Sequence, residues 1–248
     1  MIKFQKIAFK FTATTFIVLL IGITGACIAD PAAELQTADS LFAAEKYTES
    51  FQHYQQVYDA GLYSPAMLLH MAYIKEGLGE EAESLYYLNQ YYLSTLDRSA
   101  RRKMTELAKT NELMGYRFTD IDFIVSVIAR YRQTAISLAL AACLLVLALV
   151  IRYRRVKQQK PVAGLILMML LLIGTAVFIN FSEPAPRGII MSNQAYLLDQ
   201  PSAGGDLVEI AGKGHRVKIL EDGDVWVKVT WKDQTAYIRK QHLWAVQI

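Results

Sequence analysis

The chain has 248 residues, 53% of them hydrophobic, a formal net charge of +3 and two cysteines. Its mean hydropathy of +0.21 is high for a wholly soluble protein, and so small a positive charge excludes a dedicated nucleic-acid surface. With Cys27 and Cys143 both in apolar stretches, a disulfide framework is excluded as well.

Residues 1–29 have the three parts of a secretory signal: Lys3, Lys6 and Lys10, an apolar run over residues 16–23, and small residues at the end. Cleavage after Ala29 is expected. Because Thr24-Gly25-Ala26-Cys27 resembles a lipobox, lipidation of Cys27 is the alternative. Either route exports the residues from 30 to 133.

A helical region is expected over residues 30–118: residues 34–96 carry apolar side chains spaced mostly by three and four, with Ser64-Pro65 as a helix start and a break at Gly77-Leu78-Gly79. The spacing predicts helix, turn, helix, repeated. Aligning Lys46-Tyr47-Thr48-Glu49-Ser50 with Leu78-Gly79-Glu80-Glu81-Ala82 gives an offset of 32 residues. This pattern resembles the tetratricopeptide repeat. The resemblance implies a stack of helix pairs holding an extended peptide or another protein, with Asp39, Phe42, Met71 and Lys75 at the concave positions. A third unit is expected over residues 99–115, with Met104, Leu107, Ala108 and Met114 inward. Nine of the fourteen tyrosines lie between Tyr47 and Tyr92, and most should fill helix seams in so small a domain.

An amphipathic connecting helix over residues 119–133 leads to residues 134–151, which hold no ionisable side chain; residues 162–179 are equally free of charge. Each 18-residue run reaches about 27 Å as a helix, close to the thickness of a bilayer's hydrocarbon core. Ten of the first 18 are Leu, Ile or Val, worth roughly 3 to 6 kcal/mol toward insertion. Between the runs lie Arg152, Arg154, Arg155, Lys157 and Lys160, without an acidic partner. Placing them in lipid would cost about 12 kcal/mol or more. They predict a basic cytoplasmic loop over residues 152–161, a hairpin of membrane helices (residues 134–151 and 162–181), and both soluble parts on the periplasmic side of the inner membrane. Ala135, Ala139 and Gly174 are expected to pack the two helices together.

After a linker at residues 182–187, residues 188–248 alternate in short runs. In Val225-Trp226-Val227-Lys228-Val229-Thr230-Trp231 the valines and Trp231 share one face, and Glu221-Asp222-Gly223-Asp224 signals a hairpin. Four to six strands in a small all-β barrel are predicted. Ala195-Tyr196-Leu197, Pro201-Ser202, Asp224-x-Trp226-x-Lys228-Val229 and Ala236-Tyr237-Ile238 resemble a bacterial SH3 domain. That resemblance implies a ligand site for peptides or cell-wall fragments, with Tyr196 and Trp226 as contacts; the usual Gly-Trp of the last motif is Ala236-Tyr237 here.

No nucleotide loop, nucleophile elbow or zinc motif occurs, and His53, His70, His215 and His242 lack metal-ligand spacing. Neither an enzyme nor a cofactor is expected. Signal, helical repeats, two-helix anchor with a basic turn, and terminal barrel, in this order, resemble the BatE-type proteins of the Bat aerotolerance operon of Bacteroidetes. The resemblance implies a membrane-anchored scaffold whose partners are von Willebrand A-domain Bat proteins and a MoxR-type ATPase. The alternative reading is a peptidoglycan-binding envelope protein that uses the barrel.

Overall fold

A computed structural model describes residues 30–158, 161–181 and 186–246. The expected signal, with Cys27 and Ala29, lies outside the described residues, as does Lys160. The chain divides into two compact units, one ending at Tyr63 and one beginning at Ser64.

In the first unit, α1 (Pro31–Ala43) and α2 (Tyr47–Asp59) form a helix pair. The carboxylate of Asp30 caps α1 by accepting from the Ala32 N–H. The buried Ser50 hydroxyl donates to the Ala38 carbonyl at 2.8 Å, and Tyr54 donates to Asp39 at 2.6 Å. His53 Nδ1 lies 2.6 Å from the Glu34 carboxylate.

The second unit opens with the same design. Helices α3 (Pro65–Gly77) and α4 (Glu81–Thr95) start 34 residues after α1 and α2. Ser84 donates to the Ala72 carbonyl, as Ser50 does to Ala38, and Glu45 and Gly79 both take positive φ, 60° and 73°, in the turns. These equivalences correct the 32-residue offset. Matching Glu-Ser to Glu-Ala placed the turns two residues out of step, because the small residue that each second helix packs inward is Ser50 in one pair and Ser84 in the other. Helix α5 (Arg98–Thr110), capped by Asp97, supplies Met104 and Ala108 to the core. It has no second helix, and Met114 leaves it for the barrel.

The connecting helix, the first membrane span and most of the basic loop are one element, α6 (Asp120–Lys157). The loop predicted from residue 152 is thus helical as far as Lys157, and no break separates the connecting helix from the apolar run. Residues 120–157 contain neither Gly nor Pro, so nothing breaks the helix. Arg154, Arg155 and Lys157 fall in its last turn, where the carbonyl end of the helix favours cations. At about 1.5 Å per residue α6 is about 57 Å long, nearly twice the hydrocarbon core. Gln158 ends it in the left-handed region.

Helix α7 (Val162–Phe181) packs along α6. Among the described residues, these two are the helices long and apolar enough to cross a membrane, and they pack together as a hairpin. Gly164, rather than Gly174, makes the close approach: a Cβ on Gly164 would sit 2.5 Å from Val150, whereas one on Gly174 would meet nothing. Ala139, half-buried, and Cys143 and Val150, buried, lie along this side of α6.

Seven strands, more than predicted, form one antiparallel sheet: β1 (Arg187–Ile190), β2 (Ala195–Leu198), β3 (Leu207–Ala211), β4 (Arg216–Asp222), β5 (Trp226–Trp231), β6 (Gln234–Arg239) and β7 (Leu243–Val246). Their order is β3-β2-β6-β5-β4-β1-β7. Alternation in β5 falls as its sequence predicts, with Val227, Val229 and Trp231 buried among Leu197, Ile219 and Ile238.

The sheet is docked on the helices of the second unit. Tyr86 of α4 meets Trp244 edge to face at 5.1 Å, and Glu83 pairs with Lys213 at 2.7 Å. Residues 111–119 run as a strap along the barrel, with Met114 packed on its core. The Met114 N–H donates to His215 Nδ1 at 3.0 Å, the Arg216 N–H to the Met114 carbonyl, and the Tyr116 hydroxyl to the Gly214 carbonyl. Arg216, only 5% exposed, donates twice to the Gly115 carbonyl and lies over the rings of Tyr116 and Phe118. Arg187 of β1 pairs with Asp122 in the first turn of α6.

Candidate functional site

Pairing of β4, β5 and β6 builds a groove on the outer face of the barrel. Because side chains alternate along β5, burying Val227 and Val229 turns Trp226 and Lys228 outward. Register sets Lys228 opposite Tyr237 and Trp226 opposite Arg239. The Lys228 ammonium lies 5.9 Å from the Tyr237 ring centre and the Arg239 guanidinium 5.5 Å from that of Trp226, both within cation–π range. Pro201 closes one side, and Glu221 with the hairpin residues Gly223, Asp224 and Val225 closes the other, around about 370 Å³. The hairpin is held by Lys240, which pairs with Asp222 at 2.8 Å and whose N–H donates to the Val225 carbonyl.

Flat aromatic walls beside Glu221, Asp224 and Lys228 offer stacking together with charge of both signs. Such a surface can hold a zwitterionic or polar extended ligand without ordering long side chains, since Trp and Tyr lose little rotamer freedom. Among the described residues, no group of three His, Cys, Asp or Glu side chains comes together to hold a metal.

The predicted site residues fare unequally. Trp226 lies in the groove. Tyr196 is exposed on β2, opposite Ile210 of the edge strand β3, and is not one of the groove's lining residues. The strand period could have identified Lys228, two residues after Trp226 on the same face. Pro201 and Tyr237 required the cross-strand register, which local sequence does not determine.

Asp39 accepts from Tyr54, and Phe42 meets Tyr47 edge to face at 5.4 Å. At the observed 34-residue spacing these two positions correspond to Tyr73 and Glu76 rather than to Met71 or Lys75. Met71 is fully buried and so offers no surface to a partner, a correction that follows from the two-residue slip in alignment. Lys75 is largely covered and paired with Glu80. Arg152, Arg154, Arg155 and Lys157 are exposed at the end of α6.

The sequence profile of the bacterial SH3 domain family matches residues 193–243, from just before β2 to the first residue of β7. Comparison of the whole chain with curated proteins returns no significant match. The barrel that carries the groove is thus similar to a bacterial SH3 domain, and that similarity covers about a fifth of the chain.

Proposed function

We propose that this protein is a non-enzymatic scaffold of the bacterial envelope, anchored in the inner membrane by α6 and α7 with its helical repeats and SH3-like barrel in the periplasm. The observation that carries this reading is the aromatic groove of Trp226 and Tyr237, held on a barrel fastened to the helices of the same membrane-anchored unit. The basic end of α6 supports the orientation, since short positive segments remain cytoplasmic. The 34-residue helix pairing supports a tetratricopeptide-type repeat. Resemblance to BatE-type proteins supports von Willebrand A-domain Bat proteins and a MoxR-type ATPase as partners.

The test is site-specific photo-cross-linking in membranes from the full-length protein, with the photoreactive group at Lys228 in the groove and, separately, at Tyr73 on α3. Protein adducts at both positions are expected, and the Trp226→Ala exchange should reduce the groove adduct at least tenfold. Failure to recover any protein from either position defeats the scaffold reading.

A second reading, cell-wall binding, is favoured by the mixture of aromatic and charged groups in the groove, which suits a sugar chain bearing short peptides. Sedimentation of detergent-solubilised full-length protein with purified peptidoglycan separates the two. A pellet that depends on Trp226 and Tyr237 favours the wall, and its absence favours the protein partner.

A further inference from the structure

Helix α6 carries an uninterrupted heptad seam that runs from water into the membrane. One half of it is Ile121, Ile128, Ala135, Ala142 and Leu149, each seven residues from the next. The other half, three residues later each time, is Ile124, Tyr131, Leu138 and Leu145. None of these positions is charged. In one chain the seam is open: Ile121 is 72% exposed, Ile124 56%, Ile128 38% and Tyr131 57%, and Leu138, Leu145 and Leu149 are exposed as well. Helix α7 covers the side bearing Cys143 and Val150, a different side of α6.

Inside the bilayer an apolar face needs no partner, but the upper part of this seam lies outside it. Arg132 donates to the Ile179 carbonyl near the end of α7 at 2.9 Å, which marks the level where the apolar hairpin ends. Ile121 is eleven residues earlier, about 16 Å farther along the axis, whereas the headgroup layer is roughly 5 to 8 Å deep on each side. Lipid therefore does not cover Ile121 and Ile124.

We propose that the seam pairs with the same seam of a second copy of this chain, as a parallel coiled coil continuous from the first turn of α6 to the far end of the membrane span. Every copy inserts with the same orientation, so α6 helices meet parallel and in register. Each apolar layer in water then faces its twin, and so does each layer in lipid. Few other partners offer a seam that crosses the same boundary at the same height. The seven large seam side chains expose on the order of 800 Å² per chain, the share each partner contributes to a standard interface. Ile121 with Ile124 and Ile128 with Tyr131 form the layers in water, and Ala135 with Leu138 and Ala142 with Leu145 those in lipid, so every layer can face its twin without a charge. Ala135 and Ala142 allow close approach in the lipid, where packing rather than water drives association.

The test is disulfide trapping of full-length protein in native membranes, with Cys143 replaced by Ala and single cysteines placed at 121, 124 and 128 on the seam or at 123, 126 and 130 off it. Cross-linked pairs of this chain are expected at the seam positions, at least fivefold above both the off-seam positions and the parent. Equal yields at all six positions, no product above the parent, or adducts only with other proteins overturn the proposal. As a second measurement, combining Ile124→Asp and Ile128→Asp should halve the mass of the detergent-extracted particle. Both side chains are exposed, so helix content should not change. A particle of unchanged mass overturns the proposal, and if helix content falls the trapping pattern decides.

Discussion

Arg216 shows how a single side chain can join two parts of a protein. Burial and the neighbouring Arg187 bring its guanidinium pKa down to about 10, against the pull of Tyr116 and Asp122, so it stays charged at neutral pH and needs its partners. Both of its hydrogen bonds go to one carbonyl, Gly115, whose φ of 91° leaves no room for a side chain: a Cβ there would sit 1.9 Å from the Arg216 carbonyl oxygen. We expect Arg216→Ala to cost about 2 to 4 kcal/mol, with Arg216→Lys in between because a lysine lacks the planar fork. Thermal unfolding of the full chain in detergent measures both. His215, beside it, titrates below the ordinary histidine value of 6.5, chiefly through burial, with Lys232 adding to the effect and Glu209 opposing it. Its Nδ1 must be unprotonated to accept from Met114. A histidine with a depressed folded pKa gives its full stability above 6.5 and loses it as pH falls through 6.5 toward the folded value. The melting temperature should therefore drop between pH 7.5 and pH 5.5, and His215→Gln should flatten that dependence.

At the scale of elements, the periodic parts are legible in the sequence and the aperiodic parts are not. Apolar runs, strand alternation and the hairpin at Gly223 depend on local chemistry that a reader can count. The length of α6 is not legible in this way: its cluster of charge suggests the end of a helix, whereas Arg and Lys are good helix formers and suit a C-terminus. The strap is invisible in the sequence, because Leu113-Met114-Gly115-Tyr116 has no period and its partners lie about 100 residues away. The start of α6 is secured by a capping box in which Thr119 and Asp122 exchange hydrogen bonds. Burial opposes ionisation of Asp122, but the bonds from Thr119 and Arg187 outweigh it and hold the carboxyl below its usual range. Thr119→Ala should cost about 1 kcal/mol, measured as a shift in thermal unfolding. It should also raise amide exchange in the first turn of α6 while leaving that of the membrane span unchanged.

At the scale of the whole molecule, the orientation proposed above depends on a few cations. Replacing Arg152, Arg154, Arg155 and Lys157 together by Gln should produce a mixed population in which reporters fused after residue 220 appear on both sides of the membrane. The unchanged protein should show one side only. A single fixed orientation in the altered chain would mean that the signal region governs insertion by itself. The groove is half legible: Trp226 and Lys228 can be chosen from their strand, but Pro201 and Tyr237 depend on how β2 and β6 align beside it.

The strap leaves little slack between lipid and ligand. Because Arg187 grips the first turn of α6 and Arg216 grips the residues just before it, the barrel cannot swivel freely as a bead on a string would. A change in the tilt of that long helix, imposed by a thinner bilayer or by lateral crowding, should be carried into the angle at which Trp226 and Tyr237 face the surrounding space. In the membrane-anchored topology proposed here, the height and heading of the groove are thus set by the bilayer.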